Sequence, residues 1–309
     1  MTWLTWRQFR TQSWIAATAL AIAAVVAVLY GRRLGDLYTS LGVADCTTGS
    51  GQCSAADLFV SQAAAGWTGA LFGAGMVLTY VAPALIGAFW GAPLVARELE
   101  TGTYRLVWNQ SVTPRRWLAV KVATLGLTSM AVAGLLSLAV TWSAARLDQV
   151  SHERLHPIYF GARGVVPIGY AAFGFALGVL LGMVIRRTVP AMAATLGGYI
   201  AALVVVREWV RPHLLPATHA SLPLTADNIH EIGIGPGGHV VLVGGAVDIP
   251  DGAWVLSDHT TTAAGAPIDL VNPEACGGPA TGPRPCMQWL ATQNLREQVT
   301  YQPASHFWP

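Results

Sequence analysis

Long stretches of the chain contain no charged residue, and their lengths predict the elements of the fold. Five such stretches lack Asp, Glu, Lys and Arg altogether: residues 11–31, 58–96, 122–145, 164–185 and 188–206. A helix needs about 20 predominantly apolar residues to cross the hydrocarbon core of a bilayer. Each stretch therefore predicts one membrane-spanning helix. In the second, longer stretch we expect residues 67–92 to lie in the membrane, with a kink at Pro83.

The pattern changes after residue 206. No later apolar run is long enough to span a membrane, while apolar alternation at 239–243 and 253–257 predicts short strands, and we expect a helix over 287–298. The predicted fold is an all-α polytopic membrane protein: residues 1–206 form transmembrane helices 1–5, and residues 207–309 form a small α+β extracytoplasmic domain.

Composition and charge agree with this fold and add an orientation. Only 11% of the residues are charged, against about 25% in an ordinary soluble domain. The net charge of +2 is too small to suggest nucleic-acid binding. With the N-terminus in the cytoplasm, the inner segments hold nine basic residues and two acidic ones, Glu98 and Glu100. Short cytoplasmic loops are enriched in Lys and Arg, so we expect a multi-pass protein of the cell membrane with a cytoplasmic N-terminus.

Four cysteines form two close pairs in segments that the charge pattern assigns to the outside. Cys46 lies seven residues before Cys53, and Cys276 lies ten residues before Cys286. Short loops between paired cysteines in an oxidising compartment are typical of local disulfides. We therefore predict two disulfides, with unpaired thiols as the alternative.

Residues 152–156 read HERLH, which matches the zinc motif HExxH. On a helix this spacing places His152 and His156 on one face, with Glu153 as a general base. Pro157 disfavours helical geometry at His156, and residues 157–206 offer no Asp, Glu or His as a third ligand. A polar outer loop is the preferred interpretation, and a membrane zinc metallopeptidase remains the alternative function.

Two glycine patterns have different meanings. Residues 233–238 match GxGxxG, but Pro236 and a following strand replace the helix that a dinucleotide site requires, so we predict a turn. Gly174, Gly178 and Gly182 recur at every fourth position of the fourth span and predict a face where helices pack closely. The chain contains no GxxxxGK[ST] phosphate loop, and we expect it to hold neither a cofactor nor a metal.

The loop between the second and third spans is the most informative segment. It reads RELETGTYRL at 97–106, WNQSVT at 108–113 and RRWLAVK at 115–121. In these residues the sequence resembles the permease subunits of ABC-2 type transporters, particularly those of actinobacteria. The close match covers about 30 residues, and the span order agrees more loosely.

The resemblance implies a function for this loop. In that family the segment is a cytoplasmic coupling element, here residues 93–116, which docks on a separate ATP-binding subunit. The family positions fall on Arg97, Glu98, Glu100, Gly102, Thr103, Arg105, Pro114, Arg116 and Lys121. The resemblance also implies an exporter in which a second permease subunit completes the path and ATP is bound by the partner. Because the family usually has six spans, we expect a sixth span after residue 309, with a subunit that ends outside the cell as the alternative. A loop that only connects two helices, and a membrane-anchored sensor, remain alternatives.

Overall fold

The computed structural model describes residues 2–45, 54–102, 113–151, 157–225, 227–234, 239–245, 253–266, 268, 270–271 and 283–303. The chain divides into two compact units, Met1–Val206 and Arg207–Pro309. Each unit has its own core, and each is described by itself.

The first unit is helical. Its helices are α1 Thr2–Ser40, α2 Ser54–Ala64, α3 Gly66–Ile86, α4 Ala92–Thr101, α5 Pro114–Ser143, α6 Ala145–Ser151, α7 Pro157–Gly161, α8 Val166–Ile185 and α9 Thr188–Val205. A short 3-10 turn covers Val43–Asp45, and a π-helical turn covers Gly87–Gly91. A second π-helical turn, Val206–Val210, begins at the last residue of this unit.

Five helical segments are long and apolar enough to cross a membrane, which confirms the five predicted spans. They are Arg10–Ser40, Gly66–Thr101, Arg115–Ser143, Val166–Ile185 and Thr188–Val210. The second span is longer than predicted: the helix continues through the π-helical turn to Thr101 instead of ending near residue 92. Pro83 lies inside α3, and a π-helical turn follows four residues later, while the predicted kink at Pro83 stays a prediction. Proline removes one backbone donor from a helix, and π turns are single-turn insertions that often lie at functional sites.

Helix ends follow from local sequence. α5 begins at Pro114, whose fixed φ suits the first turn of a helix and whose missing N–H would have no intrahelical partner there. α4 ends at Gly102, which has φ 72° and ψ 6°. This left-handed conformation is the usual way to end a helix on glycine.

α8 lies at the centre of the first unit, where it packs against α3, α4, α5 and α9. The core around it contains Trp90, Leu94, Leu125, Phe175 and Val179, all buried. The opposite faces of the spans keep large apolar side chains exposed, such as Leu127 on α5 and Leu180 on α8. An exposed apolar surface on every span is what a bilayer requires as its solvent.

The second unit contains helices α10 Arg211–Leu214 and α11 Pro283–Ala291 and strands β1 Thr218–Pro223, β2 Ile229–Ile234, β3 His239–Gly245, β4 Trp254–Thr261, β5 Leu270–Val271 and β6 Arg296–Gln302. The strands form two antiparallel three-stranded sheets in the orders β1-β6-β4 and β2-β3-β5. Thr260 Oγ1 links the sheets by donating to the carbonyl of Val243 at 2.8 Å and accepting from its N–H at 3.0 Å.

The predicted strands β3 and β4 are confirmed, but the predicted helix over 287–298 is only half right. α11 ends at Ala291, and β6 begins at Arg296. Asn294 has a left-handed φ of 50° in the turn between them. β6 is the middle strand of its sheet, so pairing on both sides, with β1 and β4, decides its conformation.

Candidate functional site

α4 is a short amphipathic helix fixed to the membrane-spanning helices. Ala92, Leu94, Val95 and Ala96 are buried, and α4 packs against α8 and α9. In the next turn Arg97 is exposed. Residues 93–102 of the predicted coupling segment are therefore a continuation of the second span that packs against other spans.

Glycines form the contact between this continuation and α8. A Cβ atom built on Gly178 would lie 2.2 Å from the carbonyl oxygen of Gly87, and one on Gly182 would lie 2.5 Å from that of Ala92. From the other side, a Cβ on Gly91 would lie 2.7 Å from the carbonyl oxygen of Phe175. Gly174 makes a similar approach to the Pro83 carbonyl. Contacts below 3 Å leave no room for a side chain, so the two backbones touch along this face.

The predicted stripe Gly174, Gly178 and Gly182 thus lies at a helix contact. The matching glycines on the other helix, Gly87 and Gly91, were not singled out in the sequence, although their spacing of four residues is the same signal. They lie at the two ends of the π-helical turn.

Glu98 forms an ion pair with Lys121 of α5. The Lys121 side chain is 5% exposed and the Glu98 side chain is 17% exposed, so the pair is largely withdrawn from solvent. The ammonium also lies 4.4 Å from the centre of the Trp117 ring, within the range of a cation–π contact. The other carboxylate oxygen, Oε2, is buried without a hydrogen-bond partner among the described residues. This pair attaches α4 to the beginning of the third span.

Glu100 connects α4 to the fifth span in a different way. Its Oε2 accepts hydrogen bonds from the backbone N–H of Thr188 at 2.9 Å and from the Thr188 hydroxyl at 2.7 Å. Thr188 is the first residue of α9, whose first N–H groups have no intrahelical acceptor. A carboxylate at a helix N-terminus satisfies such donors and is favoured by the helix dipole. Glu100 therefore acts as a capping residue supplied by another helix.

Both acidic residues that the sequence assigned to the coupling loop are thus bonded inside the chain. What remains at this end of the unit is basic. The exposed positive side chains here are Arg97, Arg115, Arg116, Arg186 and Arg187. We call this surface, together with Thr101, the α4 end.

Several predicted residues lie outside the described part of the chain. Among the coupling positions these are Thr103 and Arg105; of Pro114 only its place as the first residue of α5 is described. The HExxH motif at 152–156 falls between α6 and α7 and is also outside, so the zinc alternative stays a prediction. Within the described ranges, no group of three or more His, Cys, Asp or Glu could hold a metal ion.

The cysteine and nucleotide motifs have separate outcomes. Cys286 is 2% exposed in the core of the second unit and is disulfide-bonded. Cys46, Cys53 and Cys276 lie outside the described residues, so both predicted pairings stay predictions. The GxGxxG match begins in β2 and is followed by β3, its antiparallel neighbour. It therefore connects two strands and lacks the strand-to-helix context of a dinucleotide site.

Comparison with known proteins gives the family. A family model described as ABC-2 membrane transporter related matches residues 17–211, more than half of the chain and most of its spanning helices. The chain belongs to this ABC-2 related family. The resemblance to ABC-2 type permeases is thereby confirmed. The protein is a transport permease with several membrane spans. No curated protein and no solved structure matches the chain.

Proposed function

We propose that this ABC-2 related protein is the permease subunit of an ATP-driven exporter. It forms the translocation path together with a second permease subunit, identical or different, and the hydrolysis of ATP takes place on separate ATP-binding subunits. In this proposal the protein lies in the cell membrane with its N-terminus and its α4 end in the cytoplasm.

The observation that carries the proposal is the attachment of α4. This helix is joined to α8 by backbone contact, to α5 by the Glu98–Lys121 pair and to α9 by the Glu100 cap. A force applied to α4 from outside would act on three spans at once. Switching proteins use such rigid-body shifts of packed helices to convert a local displacement into a larger movement.

The charge of the α4 end supports a protein partner of complementary charge. Its two acidic residues are occupied within the chain, and five exposed arginines remain. Interfaces with complementary charge gain association rate and specificity. We therefore expect the docking surface of the ATP-binding subunit to be acidic where it meets Arg97 and Arg116.

Copurification tests the docking. The permease is expressed with the ATP-binding subunit encoded beside it, and Arg97→Glu is compared with Arg33→Glu, which reverses an exposed charge at the far end of α1. We expect Arg97→Glu to reduce copurification by about tenfold, equal to about 1.4 kcal/mol, while Arg33→Glu has no effect. If only Arg33→Glu loses the ATP-binding subunit, the proposed orientation is wrong. If both variants copurify the same amount of that subunit, the α4 end is not its docking surface.

A second pair of variants tests coupling after docking. Gly66 and Gly102 border the second span at opposite ends, and both have a positive φ, 59° and 72°. At neither glycine does any atom of the described residues lie within 4 Å of a built Cβ. Alanine strains both positions to a similar degree. We expect Gly102→Ala to lower ATP hydrolysis by the copurified complex and Gly66→Ala to leave it unchanged. Equal rates would contradict transmission through the end of α4.

A further inference from the structure

The first unit contains an apolar groove between α1, α3 and α5, away from the α4 end. Its volume is about 430 Å³, within the range of ligand-binding clefts. Most of its lining is aliphatic, contributed for example by Ile22, Leu78 and Leu136. The polar side chains in the lining are those of Tyr30 and Ser143, the latter at the last residue of α5.

Two buried hydrogen-bond donors lie near the Tyr30 end of this groove without acceptors among the described residues. Tyr30 is 3% exposed, and its Oη has no partner there. Arg163 forms an ion pair with Asp148 through Nη1. The Nε atom of Arg163 is buried and has no hydrogen-bond partner among the described residues. Leaving a buried donor unsatisfied costs the free energy of its desolvation.

Both side chains contact Phe72, another residue of the groove lining. The Tyr30 and Phe72 rings stack with centroids 6.0 Å apart, and the Arg163 guanidinium carbon lies 5.1 Å from the Phe72 centroid. Asp148 balances the charge of Arg163. The groove therefore has a hydrocarbon body and the Tyr30 hydroxyl at one end, and the Arg163–Asp148 pair that contacts the Phe72 ring adds no net charge there.

The length of the groove matches one leaflet of a bilayer. Along α1 it extends from Ala19 to Tyr30, which at about 1.5 Å per residue is about 16 Å. Half of a hydrocarbon core is about 15 Å thick. In the predicted first span Tyr30 lies at the membrane surface, so its hydroxyl is at the depth where the acyl ester groups of a lipid begin.

We propose that this groove binds one acyl chain of a membrane lipid from that leaflet, and that Tyr30 Oη donates a hydrogen bond to one of its ester oxygens. A lipid supplies both parts that the groove requires, a chain of one-leaflet length and acceptors at one end. Because the Arg163–Asp148 pair is neutral, a zwitterionic lipid is sufficient. This site does not depend on the exporter function.

Photolabelling tests the site directly. The full chain in detergent micelles is titrated with a phosphatidylcholine that has a diazirine near the end of one acyl chain, and the labelled residues are mapped by mass spectrometry. We expect saturable labelling of groove-lining residues of α1 and α5, in contrast to non-saturable labelling of exposed residues such as Leu127. Non-saturable labelling everywhere would overturn the proposal.

Matched variants separate the groove from the general helix surface. A Cβ on Gly75 lies 3.6 Å from Val140 within the groove lining, whereas one on Gly73 of the same helix has no atom within 4 Å. We expect Gly75→Leu to abolish the saturable labelling and Gly73→Leu to retain it. Tyr30→Phe, which removes one donor, should weaken binding about fivefold, equal to about 1 kcal/mol. Saturable labelling that Gly75→Leu does not affect would contradict the assignment.

A stability measurement and a cross-link complete the test. Without lipid, Tyr30→Phe should raise the midpoint of thermal unfolding, because an unsatisfied hydroxyl is removed. Added phosphatidylcholine should then stabilise the original chain more than the variant, and an equal gain would exclude the hydrogen bond. If Ala23→Cys, in the groove lining, forms disulfides between two chains in the membrane, the groove is covered by a second copy and the lipid proposal is wrong.

Discussion

The helices of the membrane-spanning unit pack closely at one end and leave a groove between them at the other. At the α4 end, α4 and the π-helical turn touch α8 through glycine backbones, and both acidic side chains bind neighbouring helices. At the other end, which contains Tyr30, Ser143 and Arg163, three helices leave an apolar groove of about 430 Å³. Each end has a largely buried ion pair, Glu98–Lys121 or Asp148–Arg163.

The difference is one of packing density: helix backbones touch at the α4 end, whereas side chains leave a gap at the other end. Backbone contact through glycine fixes the distance between two helices, because no side chain can rearrange to fill or open a gap. Helices separated by larger side chains can leave a groove that a flexible hydrocarbon chain fills. The α4 end is thus suited to transmitting a movement, and the Tyr30 end to contact with lipid.

Breaking the ion pair at the α4 end should have the largest effect. Glu98→Ala leaves the ammonium of Lys121, whose side chain is 5% exposed, without its partner. Removing one member of a buried pair costs about 3 kcal/mol of unfolding free energy or more. We expect this loss in detergent-induced unfolding of the purified chain, with a matching loss for Lys121→Met.

The double variant Glu98→Met with Lys121→Met is the control. Replacing both charges by apolar side chains of similar volume is often nearly neutral, so the double variant should be more stable than either single one. If it also keeps ATP hydrolysis in the complex, the pair has a purely structural role. Equal stability of the single variants and the original chain would show that the pair does not hold α4 in place.

The glycine contact should have the next largest effect. Gly178→Ala places a methyl group 2.2 Å from a backbone oxygen, and overpacking of this kind costs about 1–3 kcal/mol. Gly169, in the same helix near its other end, has no atom within 4 Å of a built Cβ. Gly169→Ala should therefore be neutral or slightly stabilising. Similar unfolding free energies for the two variants would show that the backbone contact at Gly178 does not make the α4 end more tightly packed than the rest of the unit.

The sequence predicted those parts of the fold that depend on composition along a continuous segment. Each span is an uninterrupted apolar run, so five runs predicted five helices. The helix predicted over 287–298 was partly wrong because its second half pairs with distant strands. Val299 of β6 lies opposite Ala220 of β1 and Asp258 of β4. The helix or strand preference of a short segment carries no information about strands far away in the sequence, and pairing with such strands overrides that preference.

The candidate site was predictable in its residues but not in their bonds. The resemblance selected Glu98, Glu100 and Lys121, yet it gave no sign that Glu98 binds Lys121, 23 positions away, or that Glu100 caps a helix 88 positions away. Both bonds depend on how the spans pack against one another. The Tyr30 groove had no signal in the sequence, because apolar residues line membrane helices whether or not they leave a gap.

The smallest expected effect concerns the cap at the α4 end. Glu100→Ala removes the acceptor of both Thr188 hydrogen bonds, whereas Glu100→Gln keeps an acceptor oxygen and loses only the charge. Because Glu100 is exposed, water can replace the carboxylate. We therefore expect a smaller loss of stability for Glu100→Ala than for Gly178→Ala, and a smaller loss still for Glu100→Gln.

The effect of the Glu100 cap should instead be visible locally, as faster amide hydrogen exchange in the first turn of α9, since the N–H of Thr188 loses its protein acceptor in Glu100→Ala. Unchanged exchange there in Glu100→Ala would show that the Glu100 cap does not hold the first turn of α9, and would leave side-chain packing, the glycine contact and the ion pair to fix the α4 end.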